Sequence, residues 1–313
     1  MLVFRTKCPA KVNLSLSVLG RDDAAGMHYL DSVLAKIDLC DEITVRILTR
    51  AGMTVKFHRS AMLLHHGEPS PRENTVIRAY HALSEAVNHT LPGMSVEVKK
   101  AIPAGFGLGG ASSDAAGFLR LIHFLATRTA ALPSAAATAI AALEPSQFTE
   151  LAARVGADVP SFLLDGPVRV QGFGEVVAKQ ELLQLADYHV LLVFPPQPLY
   201  TKDMYARFDE RGEKSSNHTA RFLEKWQESG AAEALPLAHN DFEEVARQEL
   251  PAVGEAIDSL RKRGFPLVSL TGTGSCVFAL MKGESPAEEL GLPSEVRISG
   301  PHSLLFNAPT TEA

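Results

Sequence analysis

The sequence predicts an α+β fold, and two kinds of hydrophobic pattern support that class. Some segments alternate apolar and polar residues, as a half-buried strand does; in residues 10–20 the apolar set is Val12, Leu14, Leu16 and Val18. Other segments repeat apolar residues every three or four positions, as an amphipathic helix does. Because short antiparallel strands and helices are mixed along the chain, we expect α+β architecture.

The first half of the chain carries these patterns in order. After the strand at 10–20, RDDAAG reads as a turn, and YLDSVLAKIDL and DEITVRIL continue as strands. A helix follows, with Asn74 as its expected N-cap. MSVEVKKAI is the next strand, and it leads into a glycine-rich loop followed by a helix.

The second half begins with an alanine-rich helix after Pro133 and a helix at SQFTELAARVG. Strands are expected at GPVRVQGFGEVV and HVLLVFP, and residues 202–238 are mostly helical. Two helices broken near Pro251 and a strand, glycine turn and strand at 266–281 complete the order. We expect two domains, at residues 1–165 and 166–313.

Composition excludes several classes of protein. The 313 residues are 46% hydrophobic and 21% charged, which is typical of a soluble globular protein. The net charge of -6 lacks the basic excess of a nucleic-acid-binding protein, so a site for an anion must supply its own positive charge. Three widely spaced cysteines argue against a disulfide framework, and no apolar run is long enough for a signal peptide or a membrane span. We therefore expect a cytoplasmic protein with no membrane or nucleic-acid partner.

The glycine loop AIPAGFGLGGASSDAAG, residues 101–117, allows three interpretations. It formally satisfies the dinucleotide fingerprint GxGxxG, but no second strand ending in an acidic residue follows. A Walker A motif fails because no Gly-Lys-Ser/Thr closes the loop. The third is a phosphate cradle of backbone amides at a helix N-terminus, with Ser112 and Ser113 capping the helix or reaching phosphate oxygens and Asp114 suiting the helix dipole. A tight turn with a capped helix is the structural alternative, and four glycines followed by Ser-Ser-Asp favour the phosphate cradle.

Three segments together resemble the motifs of the GHMP kinases: PAKVNLSLSVLGR, IPAGFGLGGASSDAA and TGTGSCVFAL. Within that superfamily, PAKVNLSLSV, LGGASSDAA, VGADVPSFLLDG and HNDFE are similar to the 4-diphosphocytidyl-2-C-methyl-D-erythritol kinases. The resemblance implies a ribosomal-S5-like ATP-binding domain, a C-terminal α/β domain and an active site in the cleft between them. It also implies ATP-dependent phosphorylation of the substrate's 2-hydroxyl in the non-mevalonate isoprenoid pathway, with Mg²⁺.

The resemblance assigns catalytic roles to Lys11 and Asp158. Phosphoryl transfer needs charge neutralisation, alignment and a group near the attacking hydroxyl. We expect Asp158 to orient that hydroxyl and take its proton late, and Lys11 to hold the carboxylate ionised and offset phosphate charge. Considered singly, Asp158 would be a helix cap or a surface turn, and Lys11 a surface strand residue.

Nucleotide binding is expected along the loop. Lys100 has a basic counterpart near the nucleotide in the family, and an ordinary strand-end lysine is an equally weighted alternative. Ala111 replaces a usual glycine, which predicts that this position has entered the helix. The predicted nucleotide-binding set is Lys100, Pro103, Gly105, Gly107, Leu108, Gly109, Gly110, Ala111, Ser112 and Ser113.

Substrate recognition is where the chain departs from the family pattern. RDDAAGMHYL has two added residues before its glycine and Met27 in place of a tyrosine that stacks on cytosine. His28 is expected to hydrogen-bond the cytosine edge and Tyr205 to form a stacking wall, whereas the register of Tyr29 disfavours it as a replacement for the missing tyrosine. The predicted substrate-binding set is Asn13, His28, Tyr205, Gly272 and Thr273, with Asn240 and Asp241 in structural roles.

Because Met27 and the two added residues depart from the family pattern, other functions remain open. The first alternative is a mevalonate- or homoserine-kinase-like enzyme that phosphorylates another acceptor alcohol. A nicotinamide oxidoreductase rests only on GxGxxG, and a non-catalytic relative is disfavoured by the presence of Lys11 and Asp158. No His/Cys cluster stands at metal-ligand spacing and His65-His66 reads as a solvated loop, so no protein metal ligands are predicted. The expected partner is a small-molecule substrate, and the expected state a monomer or weak homodimer.

Overall fold

The computed structural model describes residues 2–50, 52–59, 74–212, 216–282, 297–305 and 311–312. His65 and His66 lie outside these residues. The described strands are β1 (Val3–Asp22), β2 (Met27–Leu48), β3 (Met53–Arg59), β4 (Gly93–Lys100), β5 (Val168–Gly172), β6 (Val176–Lys179), β7 (Tyr188–Phe194), β8 (Leu267–Leu270), β9 (Val277–Lys282), β10 (Arg297–Leu305) and β11 (Thr311–Glu312). The described α-helices are α1 (Thr75–Val87), α2 (Gly110–Arg128), α3 (Ser134–Ala141), α4 (Pro145–Val155), α5 (Thr201–Arg211), α6 (His218–Ser229), α7 (Ala231–Ala234), α8 (Glu243–Glu249) and α9 (Pro251–Lys262). Short 3₁₀ helices lie at Pro160–Phe162, Leu183–Asp187 and Leu235–Leu237.

A long antiparallel hairpin of β1 and β2 runs through the molecule. Its strands are continuous across three register shifts, at Pro9/Ala10, Asn13/Ser15 and Val18/Gly20, which bend them as β-bulges do. β2 also pairs with β4, β5 and β10, and the main strand order is β11-β1-β2-β10-β7-β9-β8. The hairpin therefore joins the strands of both halves of the chain in one sheet.

The alternation in β1 predicts one buried face, but the structure buries both faces between Cys8 and Val18. The apolar residues Val12 and Leu14 enter the core, while the polar residues on the other face are covered by later elements. Ser15 Oγ and Ser17 Oγ lie 2.9 and 3.2 Å from Thr219 Oγ1 at the start of α6, so their burial is satisfied by hydrogen bonds.

Helix boundaries follow local chemistry in most places. Asn74 accepts hydrogen bonds from Val76 N and Ile77 N, as predicted for the N-cap of α1. The α8/α9 break falls at Leu250, because Pro251 can begin a helix but cannot continue one. The prediction that Ser112 and Ser113 cap α2 is wrong: the N-cap is Gly109, whose φ of 71° is left-handed, and both serines lie inside the helix.

Apolar packing forms three large clusters. One lies under α1 to α4 against β1, β2 and β4, and another packs α5, α8 and α9 on β7 to β9. The third joins residues of the β1–β2 hairpin to β7, α6 and β9. No described helix is both long and apolar enough to cross a membrane.

Candidate active site

A cavity of about 560 Å³ opens where the glycine loop, β1 and the 271–274 turn meet. The predicted site residues that line it are Lys11, Asn13, Lys100, Pro103, Gly105, Gly107, Leu108, Gly109, Gly110, Ala111, Ser112, Asp158, Tyr205, Gly272 and Thr273. Two predicted residues do not line it: Ser113 is buried behind the loop, and His28 lies beside Tyr205.

The glycine loop needs its glycines for geometry. Gly105, Gly107 and Gly109 have φ values of 81°, 75° and 71°, which side chains rarely adopt. A Cβ on Gly107 would lie 2.0 Å from the carbonyl oxygen of Thr271, so the loop and the 271–274 turn pack backbone against backbone. Leu108 O accepts a hydrogen bond of 3.1 Å from Lys11 N, which fastens the loop to β1. Ala111 lies within α2, as predicted.

Asn13 organises the floor of the cavity. Its Oδ1 accepts hydrogen bonds from Lys11 Nζ at 2.5 Å and from Gly272 N at 2.7 Å, and its Nδ2 donates to Ser32 Oγ at 2.8 Å. One buried amide thus positions both the lysine and the turn opposite the glycine loop.

Lys11 is a buried cation poised for an anionic ligand. Among the described residues, no carboxylate oxygen lies within 4 Å of its Nζ, and Asn13 is its side-chain partner. Burial lowers the pKa of Lys11, and the nearby charge of Asp158 opposes that shift. A phosphate in the cavity would supply the counter-charge that the protein withholds.

Asp158 lies in the turn between α4 and the 3₁₀ helix Pro160–Phe162, where its carbonyl accepts a hydrogen bond of 2.7 Å from Ser161 Oγ. Its half-buried side chain lines the cavity together with Lys11 and Tyr205. Burial raises the pKa of Tyr205, and the negative charge of Asp158 adds to that shift. Asp158 therefore shares the cavity with the ammonium group of Lys11 and the phenol of Tyr205.

Lys100 ends β4 and bonds two buried carboxylates. Its Nζ donates to Asp41 and, at 2.7 Å, to Asp114 Oδ2. Asp41 Oδ1 also accepts from Ala101 N and Ile102 N at 2.6 and 2.9 Å, which fixes the backbone leading into the glycine loop. Burial raises the pKa of Asp114 to about 7 against the opposing charge of Lys100. Asp114 is thus engaged in a buried ionic cluster rather than solvated at the helix terminus.

Tyr205 lines the cavity and the His28 ring packs beside it, with ring centroids 4.6 Å apart. His28 Nε2 lies 2.6 Å from Asp209 Oδ1, and Arg21 donates to Asp209 Oδ2 at 2.8 Å. Tyr29 faces elsewhere: its ring stacks on Phe173 at 4.6 Å and its hydroxyl donates to Asp22. Met27 is 41% exposed and makes no part of the cavity lining.

Comparison with known proteins adds independent information. The GHMP kinases N terminal domain model matches residues 74–166, and the GHMP kinases C terminal model matches residues 223–292. The 4-diphosphocytidyl-2-C-methyl-D-erythritol kinase of Rhodopirellula baltica is 33% identical over 91% of this chain and 88% of its own length. That of Geobacter sulfurreducens is 31% identical over 90% and 91%. This chain belongs to the 4-diphosphocytidyl-2-C-methyl-D-erythritol kinase family.

Solved structures agree with that assignment. A crystal structure of 4-(cytidine 5'-diphospho)-2C-methyl-D-erythritol kinase is 27% identical, covers 97% of this chain and 100% of its own, and has a TM-score of 0.69. Homoserine kinase from Cytophaga hutchinsonii shares the fold at a TM-score of 0.73, with 17% identity over 99% and 97% of the two chains. The predicted α+β GHMP kinase fold and family are confirmed. The dinucleotide alternative is wrong for this fold, because α2 is followed by α3 and α4 instead of a parallel strand.

Sequence reasoning missed several residues around the cavity. Thr271 Oγ1 donates to Gly107 O at 3.1 Å, Asp209 holds His28, and Asp41 holds Lys100. Each stands far along the chain from its partner, and no local spacing marks it. Outside the cavity, His218 also meets His239 and Asp241 of the HNDFE segment, and no local spacing places His218 beside them.

Proposed function

We propose that this chain transfers the γ-phosphoryl group of ATP to the 2-hydroxyl of 4-diphosphocytidyl-2-C-methyl-D-erythritol, by direct in-line transfer, in the non-mevalonate isoprenoid pathway. The observation that carries the proposal is that Lys11 and Asp158 line one cavity with the glycine loop, in a chain of this kinase family. The loop presents backbone amides at the N-terminus of α2, which suits a triphosphate.

The donor site is proposed along residues 100–113. The backbone of the glycine loop would hold the phosphates, and Lys100 would act through the loop, because its ammonium group is engaged by Asp41 and Asp114. Asp114 lines the cavity and its Oδ1 is buried without a protein hydrogen-bond partner, and a carboxylate oxygen fits Mg²⁺. Mg²⁺, when bound with ATP, neutralises charge on the phosphate oxygens.

The acceptor hydroxyl is proposed to lie between Asp158 and the γ-phosphorus. Asp158 accepts a hydrogen bond from the hydroxyl and aligns its oxygen. As the new P–O bond forms and the bond to ADP breaks, the proton passes to the carboxylate. Lys11 offsets the negative charge of the phosphoryl oxygens. This order suits a carboxylate, which is a weak base toward an alcohol until the oxygen is bonded to phosphorus.

The cytidine end is proposed to bind at His28 and Tyr205, with Asn13, Gly272 and Thr273 toward the methylerythritol. Tyr205 is held by edge-on contact with Phe242, at a centroid distance of 4.8 Å, so its ring is fixed before substrate arrives. The Asp209 carboxylate likewise fixes the orientation of the His28 ring before substrate arrives, through the 2.6 Å contact between His28 Nε2 and Asp209 Oδ1.

The remaining expectations belong to the same proposal. We place the two domains at residues 1–165 and 166–313, and we propose a cytoplasmic enzyme that is a monomer or weak homodimer. Size-exclusion chromatography with light scattering tests the last point.

A purified sample with ATP and Mg²⁺ tests the function. With 4-diphosphocytidyl-2-C-methyl-D-erythritol it should release ADP and yield a phosphorylated product in equal amounts, measured by a coupled assay and mass spectrometry. Mevalonate and homoserine are the control acceptors. Turnover on either of them with none on the cytidine substrate would overturn the proposal. An ATP analogue should bind in equilibrium dialysis, and NADH should not.

A further inference from the structure

Two histidines and an aspartate from separate segments meet outside the cavity. His218 is the first residue of α6, and His239 and Asp241 lie between the 3₁₀ helix Leu235–Leu237 and α8. One ring nitrogen of each histidine and one carboxylate oxygen of Asp241 all lie within 4.8 Å of one another. His239 Nε2 is 3.2 Å from Asp241 Oδ1, and the two imidazole centroids are 4.2 Å apart.

The three side chains together offer a donor set of two imidazole nitrogens and one carboxylate oxygen. That set suits Zn²⁺ and related divalent transition ions, and it leaves a position for water.

We propose that His218, His239 and Asp241 form a binding site for a divalent transition-metal ion of the Zn²⁺ class. In a tetrahedral site with metal–nitrogen bonds of about 2.0–2.1 Å, the donors stand roughly 3.3 Å apart. The Asp241–His239 pair is already at that spacing. One ring nitrogen of His218 already lies within 4.8 Å of both other donors, so a small shift of its side chain would complete the set.

The site would act on structure rather than on the transferred phosphoryl group. Backbone hydrogen bonds join His239 O and Asp241 N to Leu16, at 2.7 and 3.0 Å, and Asp241 Oδ2 accepts from Val18 N at 2.7 Å. Asn240, between the two ligands, donates to Gly272 O at 2.9 Å. Leu16 and Gly272 line the cavity. A metal ion here would link the start of α6 to residues 239–241, which support the cavity wall, and would therefore stabilise the folded protein.

Metal titration without nucleotide tests the site, because ATP itself chelates divalent ions. Tag-free protein is first dialysed against a chelator and then titrated with Co²⁺, whose visible absorption reports tetrahedral coordination, followed by competition with Zn²⁺. We expect one equivalent bound, and a melting temperature that rises with Zn²⁺ concentration. The melting temperature does not depend on kinase turnover.

Three variants sharpen the test. H218Q and H239Q should each weaken Co²⁺ binding about tenfold or more and abolish the Zn²⁺-dependent rise in melting temperature. H89Q, at an exposed histidine after α1, is the matched control and should bind like the parent protein. Circular dichroism without metal checks that each variant folds. The proposal is overturned if the parent protein binds no stoichiometric Co²⁺, or if H218Q and H239Q bind it as well as H89Q does.

Discussion

At the scale of single residues, the cavity is organised around Lys11, a buried lysine whose side-chain partner is the uncharged amide of Asn13. Asp158 raises the pKa of Lys11 against the effect of burial, so the two charges are coupled without an ion pair within 4 Å. A ligand phosphate can therefore approach Lys11 without first breaking a salt bridge. Binding of the nucleotide and alignment of the acceptor hydroxyl should consequently be separable by substitution.

We predict that Asp158→Asn lowers kcat by about 10²–10⁴-fold, because the amide cannot take the proton from the hydroxyl. Affinity for an ATP analogue should change little, since the backbone amides of the glycine loop remain. Steady-state kinetics and calorimetry measure the two effects. Asp187→Asn, at an exposed carboxylate, serves as control. An unchanged kcat would remove Asp158 from the mechanism.

Lys36 predicts a pH dependence of stability. Burial lowers its pKa from 10.5 to about 7, and its Nζ donates to Leu164 O and Gly166 O at 2.6 and 3.1 Å. Between these two pKa values the unfolded chain binds a proton that the folded protein does not. The contribution of Lys36 to the free energy of unfolding therefore rises with pH from about 7 toward 10.5.

Denaturant unfolding of the parent protein and of Lys36→Met across this pH range measures the effect. The difference in unfolding free energy should grow in favour of the parent protein as pH rises. Lys179→Met, at an exposed lysine, should show a flat difference. A flat difference for Lys36→Met as well would show that the amine titrates normally in the fold.

At the scale of elements, the position of α5 against the β1–β2 hairpin sets the cytidine end of the site. Asp209 on α5 binds His28 at the start of β2 and Arg21 at the end of β1. We predict that Asp209→Asn raises KM for the cytidine substrate about tenfold, because a charged hydrogen bond that orients His28 is lost. KM for ATP should stay within about twofold, since the glycine loop is untouched.

Glu210→Gln, on the next residue of α5, is the control for Asp209→Asn, because Glu210 pairs with Arg207 on the same helix. Steady-state kinetics with each substrate varied separately gives both constants. Equal effects on the two KM values would mean that Asp209 supports the fold generally rather than the cytidine end.

Local patterns predicted those features that depend on neighbours in sequence. Asn74 as a cap, Pro251 as a helix start and the glycine loop as a turn into a helix each follow from residues within one turn of each other. Contacts between elements that are distant in the sequence leave no local pattern from which they could be predicted. The Lys100–Asp41 pair joins residues 59 apart, and burial of both faces of β1 depends on α6 and the 271–274 turn packing over it. The cavity residues were reached through resemblance to a family, because spacing alone does not bring Lys11 to Asp158.

At the scale of the whole molecule, two glycine segments that are distant in sequence touch at the cavity. The backbones of Gly107 and Thr271 pack directly against each other. Asn13, on the β1–β2 hairpin, accepts a hydrogen bond from Gly272 N and so holds the 271–274 turn in place. The donor site therefore depends on the packing of the C-terminal half as much as on the glycine loop itself.

We predict that Gly107→Ala disturbs this contact far more than a glycine-to-alanine substitution does at a left-handed glycine with open space around it. The added Cβ meets Thr271 O at 2.0 Å, so the loop or the turn must move. Displacement of this order at a site of phosphoryl transfer should lower kcat/KM for ATP about a hundredfold. Gly264→Ala is a matched control, because its φ of 77° is close to the 75° of Gly107 and no atom lies within 4 Å of its Cβ. It should cost about 1–2 kcal/mol of stability and leave kcat/KM nearly unchanged. If both variants lose stability but keep kcat/KM, contact between the two glycine segments does not shape the donor site.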